Sequence, residues 1–113
     1  MASAALVSPC RIPGCHHDVP LPLTAELLCP EHFVELAFRA AQRALESCRH
    51  GEPVHPHAIE WLFSDAMFHA QALTQEAEAI DPRSRERLLE LLLCLANLHE
   101  YVRHHTVRLV TAG

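Results

Sequence analysis

Three stretches of the chain place apolar residues three and four positions apart, the spacing of an α-helix with one buried face. They predict helices over residues 30–50, 56–80 and 83–107. The predicted core positions are, in chain order, Phe33, Leu36, Ala37, Ala40, Ala44, Leu45 and Cys48, then Ile59, Leu62, Phe63, Ala66, Met67, Ala70, Leu73, Ala77 and Ile80, and finally Leu88, Leu91, Leu92, Leu95, Leu98 and Val102.

Residues typical of helix ends support these boundaries. Pro30 and Pro56 suit the first position of a helix, Gly51 follows the first helix, and Asp81 can cap a third helix that opens at Pro82. The links between the helices are short, which favours antiparallel neighbours. The sequence therefore predicts a mainly α fold, an up-down-up antiparallel three-helix bundle, as a single domain over residues 1–113.

Composition narrows the class of protein. Half of the residues are apolar and 20% are charged, and no apolar run reaches the ~20 residues needed to span a bilayer. The opening MASAALVSPC has no basic n-region, so it does not read as a signal peptide. We therefore expect a cytoplasmic protein with no membrane partner.

Charge bears on the choice of partner. The net charge is -5, and the acidic residues of positions 51–81 have no arginine beside them. Such a surface repels phosphate groups, whereas affinity for nucleic acids rests largely on cationic contacts to the backbone. The sequence thus disfavours nucleic acid as a partner.

The cysteines point to a metal site. Cys10 and Cys15 flank a Pro-Gly pair that can turn the backbone, and Cys29 and His32 straddle the start of the first predicted helix. Two close pairs of sulfur and nitrogen donors are what tetrahedral Zn²⁺ requires. We predict one structural Zn²⁺ in a zinc-binding segment over residues 1–33, with its ligands Cys10, Cys15, Cys29 and His32. His16 and His17, which follow Cys15, remain alternatives to His32 as the fourth ligand.

At CRIPGC and LLCPEH the chain resembles short zinc fingers of the form Cys-x4-Cys, a variable loop, then Leu-Cys-x2-His. Such fingers occur in phage proteins and beside HNH-type nuclease domains. The resemblance covers residues 10–33 and implies a bound zinc ion. The chain departs from the pattern in its longer loop and in Phe33-Val34, where basic residues or tyrosine often follow.

A second group of histidines falls at the end of the predicted bundle far from the cysteines. It comprises His50, His55, His57, His104 and His105. A second metal site there would suit a metal-dependent enzyme or a metal sensor. Neither neighbouring helix carries a metalloprotease or di-iron motif, and no nucleophile motif is present, so the sequence favours a binding module over an enzyme.

The third predicted helix has more apolar surface than one bundle readily buries. Leu89, Leu93 and Ala96 form a second stripe beside its core positions, and Trp61 and Phe68 form an apolar flank on the second helix. Contiguous exposed patches of this kind mark interaction surfaces. We therefore predict a zinc-stabilised helical adaptor or regulatory module that binds another protein, a second copy of itself, or both. A nucleic-acid-associated zinc-finger regulator is the alternative that the finger resemblance suggests.

Overall fold

A computed structural model describes residues 9–76 and 80–111, and within these ranges the chain is helical, with no β-strand. A short 3-10 turn, Leu21–Leu23, precedes three helices: α1 (Pro30–Arg49), α2 (the consecutive segments Pro56–Trp61, Leu62–Ala66 and Met67–Gln75) and α3 (Pro82–His104). The predicted mainly α fold with three helices is confirmed.

Helix α1 begins and ends where the sequence predicted. Cys29 has an extended backbone at the N-cap position, and Pro30 is the first helical residue. At the other end, Gly51 has φ +68°, its N–H donates to the Cys48 carbonyl over 3.2 Å, and the Glu52 N–H donates to the Ser47 carbonyl over 2.8 Å. These two bonds form a Schellman motif, which glycine favours because the position is left-handed.

Helix α2 contains a feature that the sequence pattern did not reveal. Its middle segment, Leu62–Ala66, is a π turn, which accommodates about one residue more than an α turn. The added residue rotates the second half of the helix relative to the first. As a result it is His69, and not Phe68, that lies beside Trp61 against the Phe33 ring, at centroid distances of 5.9 Å for His69 and 6.5 Å for Trp61.

The predicted end of α2 at residue 80 was too late. The helix ends at Gln75, where Glu76 leaves helical geometry at φ -112° and ψ 45°. Ile80 lies outside any helix but is still buried, as predicted. The predicted core residue Ala77 falls outside the described residues.

Helix α3 begins at the predicted cap and ends before the predicted residue 107. The Asp81 carboxylate accepts a hydrogen bond from the Ser84 N–H over 2.6 Å, which lowers the pKa of Asp81. The helix stops at His104. Val54, in the link between α1 and α2, then pairs with the segment that follows: its N–H donates to the Arg108 carbonyl, and its carbonyl accepts from the Val110 N–H.

The order of contacts along the helices gives the up-down-up topology. Near the start of both helices, the Arg87 side chain of α3 lies 3.6 Å from the Glu35 carboxylate of α1. Near their ends, the Tyr101 hydroxyl donates to the Cys48 carbonyl over 2.9 Å. Helices α1 and α3 therefore run parallel, and α2, which connects them in the chain, runs in the opposite direction.

Most buried residues lie at predicted core positions, but the buried face of α1 is rotated relative to the predicted one. Helix α1 packs most extensively against α3. On α1, Val34 and Ala41 are buried although neither was predicted to be. Leu36, which was predicted to be in the core, is exposed instead. On α3, the stripe Leu88, Leu91, Leu95 and Leu98 is buried as expected, whereas Leu89 and Leu93 are exposed.

The two stripes of α3 predict opposite responses to truncation. Leu91 is 0% exposed and Leu93 is 64% exposed. Leu91→Ala should lower the free energy of unfolding by about 2–5 kcal/mol, because it leaves a cavity. Leu93→Ala is the matched control, and its effect should stay within about 0.5 kcal/mol. Chemical denaturation of both variants checks this, and equal losses would place Leu93 in the core of a larger assembly.

Candidate metal centre

The first two cysteines are brought together by a tight turn. The Cys15 N–H donates to the Ile12 carbonyl over 3.0 Å, and Gly14 has φ +84°. Proline at the second position and a left-handed glycine at the third are the signature of a type II turn. The Pro-Gly pair therefore makes the predicted turn, which holds the Cys10 and Cys15 thiols on one side.

The second pair of ligands is fixed by the approach to α1. Leu27 has φ +56°, a conformation that a side chain with a Cβ adopts at a cost of about 1–3 kcal/mol. This residue reverses the chain, so that its carbonyl accepts the Arg11 N–H over 2.8 Å. The bond joins the turn between the first two cysteines to the segment that leads into Cys29. Leu23 and Leu28, both buried, anchor that segment in the core.

The four predicted ligands converge. The Sγ atoms of Cys10, Cys15 and Cys29 and a ring nitrogen of His32 all lie within 4.8 Å of one another. The His32 Nδ1 atom is 3.5 Å from the Cys10 Sγ and 3.3 Å from the Cys29 Sγ, and the Cys15 and Cys29 sulfurs are 3.9 Å apart. Cys10 and Cys29 are buried, and Cys15 and His32 are partly exposed. The cluster can hold a metal ion.

Without an ion, the surroundings of Cys10 and Cys29 shift the pKa values of these two thiols in opposite directions. Burial opposes ionisation of Cys10, but hydrogen bonds with the backbone of Cys29 and Ile12 and with the His32 and Cys15 side chains outweigh it and lower the pKa of Cys10 to about 6. Burial also raises the pKa of Cys29 to about 12, with the neighbouring sulfurs adding to the effect. The N-terminus of α1 therefore does not by itself make Cys29 a thiolate. A bound cation would supply the charge that lets both sulfurs ionise.

The other candidate ligands lie elsewhere. His16 and His17 are exposed, and the nearest charged partner of His17 is Glu31, 3.8 Å away. Among residues 9–76 and 80–111, Cys10, Cys15, Cys29 and His32 are the only group with the proximity needed to hold a metal. The structure therefore favours His32 over the two alternatives as the fourth ligand.

The distal histidines do not assemble into a site. His50 pairs with Glu52 and His104 with Glu100, while the His105 ring stacks on Tyr101 at 4.0 Å. Within the part of the chain that the structure describes, none of these imidazoles joins a group of three potential ligands. The second metal site that their positions suggested is not formed.

A polar cluster that sequence reasoning missed joins residues 10–29, here called the metal segment, to α2. The Glu26 carboxylate accepts a hydrogen bond from the Trp61 Nε1–H over 3.2 Å and lies 3.5 Å from the His69 Nε2. Both partners reach it because the π turn aligns them on one side of α2. Glu26 also receives the Arg11 side chain at its carbonyl over 3.1 Å. No local sequence signal marks a π turn, so these long-range contacts had no visible signature.

His69 is tightly enclosed in this cluster. Its ring makes edge contacts with the Phe33 and Phe68 rings at 5.9 Å and 5.8 Å, and its Nδ1 atom is buried without a hydrogen-bond partner among the described residues. An imidazole with its hydrogen on Nε2 directs that hydrogen towards Glu26 and leaves only a lone pair buried, the less costly arrangement. The contact fixes the metal segment against the helices.

Comparison with known proteins adds no assignment. The chain matches no family model, no curated protein and no solved structure. In the described residues no helix is long and apolar enough to cross a membrane. Fold and site together define a small helical protein with a Cys3His cluster that can hold a metal ion.

The fourth ligand can be tested with Zn²⁺ as the probe ion. His32→Ala should weaken Zn²⁺ binding by more than the about 10–100-fold that loss of an outer-shell contact causes, because it removes a direct donor. His17→Ala is the matched control and should leave the affinity unchanged, since His17 lies outside the cluster. Competition with a chromophoric chelator measures both. A larger loss for His17→Ala would exclude the assignment of His32.

Proposed function

We propose that this chain is a zinc-stabilised helical module that binds another protein. The observation that carries the zinc assignment is the convergence of four sulfur and nitrogen donors at the start of α1. Tetrahedral Zn²⁺, with Zn–S bonds of about 2.3 Å and Zn–N bonds of about 2.0 Å, places sulfurs about 3.8 Å apart and sulfur and nitrogen about 3.5 Å apart. Three of the six separations are close to these values: 3.9 Å between the Cys15 and Cys29 sulfurs, and 3.5 Å and 3.3 Å from the His32 Nδ1 to the Cys10 and Cys29 sulfurs. The remaining pairs lie within 4.8 Å.

The donor set supports a structural role for the ion. Four protein ligands complete a tetrahedral shell and leave no position for water or substrate, which is the arrangement of structural zinc sites. Two of the three sulfurs are buried, so solvent has little access to the ion. Residues 10–15, 29 and 32 together resemble the short zinc fingers named above, and that resemblance agrees with this role.

The metal would fold the segment that precedes α1. Between Cys10 and Cys29 the described helical structure is a single 3-10 turn, Leu21–Leu23, and the segment includes the left-handed Leu27. Few of its residues reach the core, so burial alone stabilises it weakly. Metal binding would supply the missing free energy, as in other small zinc domains.

Two surface features support a protein partner. Large apolar side chains are exposed on α3, at Leu89 and Leu93, and on α2, at Phe68. The net charge of -5 disfavours the phosphate backbone of nucleic acids. The proposed partners are therefore another protein, a second copy of the chain, or both.

Removal of the metal tests the structural role. Cys29→Ser, or chelation of the ion, should lower the free energy of unfolding by several kcal/mol, because metal binding is coupled to folding of the segment. Cys94→Ser on α3 is the matched control and should cost far less, since Cys94 lies outside the cluster and is only partly buried. Thermal melts followed by circular dichroism measure both. An unchanged melting curve after verified removal of zinc would make the ion peripheral.

Self-association through α3 has its own test. The zinc-loaded protein should form dimers at high concentration, because Leu89, Leu93 and Ala96 present an apolar stripe to solvent. The double variant Leu89→Glu, Leu93→Glu should be a folded monomer. Light scattering across a concentration series measures the mass of both proteins. A wild type that stays monomeric throughout would rule out the dimer.

A further inference from the structure

Acidic and basic side chains are segregated along the chain. Residues 12–38 and 50–82 contain neither arginine nor lysine, and all nine arginines lie outside these two ranges. The same ranges hold most of the fourteen acidic residues, namely Asp18, Glu26, Glu31, Glu35, Glu52, Glu60, Asp65, Glu76, Glu78 and Asp81. These ranges comprise most of the metal segment, the first half of α1, and α2. This part of the chain has no arginine of its own. From outside it, Arg39 and Arg87 pair with Glu35, and the Arg11 side chain donates to the Glu26 carbonyl.

Besides Leu36 on α1, which is 37% exposed, three large apolar side chains are exposed within this acidic part. Leu21 is 84% exposed, Leu27 is 44% exposed and Phe68 is 68% exposed. Leu21 begins the 3-10 turn that packs against the last segment of α2, to which Phe68 belongs. Isolated exposed leucines are ordinary, but three large apolar residues along one junction suggest an interaction surface. We call Leu21, Leu27 and Phe68 the junction surface.

The Glu26 cluster connects the two sides of the junction surface. The Phe68 ring lies 5.8 Å from the His69 ring, and the His69 Nε2 lies 3.5 Å from the carboxylate of Glu26, the residue before Leu27. These contacts place the segment that carries Leu27 beside the part of α2 that carries Phe68, which reduces the ordering that binding requires. A preorganised surface keeps more of its interaction free energy as affinity.

We propose that the junction surface binds a basic amphipathic segment of another protein. Apolar side chains of that segment would cover Leu21, Leu27 and Phe68, while its cationic side chains would face the acidic surroundings. Asp65 is exposed within one turn of Phe68, and Glu76 is exposed at the end of α2. Such charge complementarity speeds association and excludes acidic competitors. The inference rests on the proposed protein-binding function and names the surface and the chemistry of the partner.

The metal centre would control this surface. Leu21 and Leu27 lie between the ligands Cys15 and Cys29 in the chain, so the ion fixes the segment that carries them. Phe68 lies on α2 and does not depend on the ion in this way. Loss of the metal should therefore weaken binding by removing two of the three apolar side chains from their positions.

Synthetic peptides test the proposal with the full-length, zinc-loaded protein. Two fluorescein-labelled amphipathic helical peptides share the same leucines and differ only in arginine or glutamate at the polar positions. The arginine peptide should bind at micromolar concentration, and the glutamate peptide should bind about tenfold more weakly or worse. Added salt should weaken the binding of the arginine peptide. Fluorescence anisotropy gives both affinities, and chelation of the zinc should reduce the first.

Surface variants locate the binding. Phe68→Ser should weaken binding of the arginine peptide by about tenfold, as loss of a central aromatic contact does, and Asp65→Arg should weaken it as well. Leu93→Ser on α3 is the matched control, because Leu93 is exposed to a similar degree but lies outside the acidic part. All three positions are exposed, so the variants should fold, and circular dichroism verifies this.

The outcomes separate the surface from the broader function. The inference is overturned if the wild type binds neither peptide, if it binds both equally, or if Leu93→Ser weakens binding more than Phe68→Ser does. In that last case a protein-binding role persists, but on α3, where a second copy or another partner would sit. The proposed function itself fails if the protein neither self-associates nor retains any protein from its native lysate.

Discussion

The segment of residues 10–29 has little core of its own and is attached to the start of α1. Three sulfurs and one imidazole are gathered where α1 begins, and two of the sulfurs are buried. Without a cation, burial opposes ionisation of Cys29 and raises its pKa to about 12. Divalent zinc would remove this electrostatic conflict and offset the strain of the left-handed Leu27. Binding of the proposed ion would thus favour a single conformation of residues 10–29.

A second attachment makes the metal segment part of the helical body. Glu26 receives the Trp61 N–H and lies beside His69, and the π turn of α2 brings these two side chains into line. Interruptions of this kind in a helix frequently occur at functional sites. Here the π turn places Trp61 and His69 against both Phe33 and Glu26. The contacts of Glu26 thus join the segment between Cys15 and Cys29 directly to α2.

Sequence reasoning predicted the parts of this structure that depend on local chemistry. Pro30, Gly51, Pro56 and Asp81 each mark a helix end, and the type II turn at Pro13-Gly14 follows from residue preferences. Cys10, Cys15, Cys29 and His32, which the structure brings together, were singled out because zinc sites have recognisable spacing. The features that the sequence did not predict depend on tertiary packing. They are the burial of Val34 in place of Leu36, the end of α3 at His104, and the π turn. The pairing of Val54 with Arg108 and Val110 was equally invisible, since no periodic pattern encodes contacts between distant loops.

Whether three cysteines and one histidine hold a zinc ion is tested most directly by X-ray absorption spectroscopy at the zinc edge, on protein purified without added metal. We expect one zinc per chain with three sulfur neighbours at about 2.3 Å and one nitrogen neighbour at about 2.0–2.1 Å. His32→Ala should leave the three sulfur neighbours in place, while another ligand takes the position of the histidine nitrogen. A shell dominated by nitrogen and oxygen, or a protein that folds fully with no bound metal, would contradict this expectation.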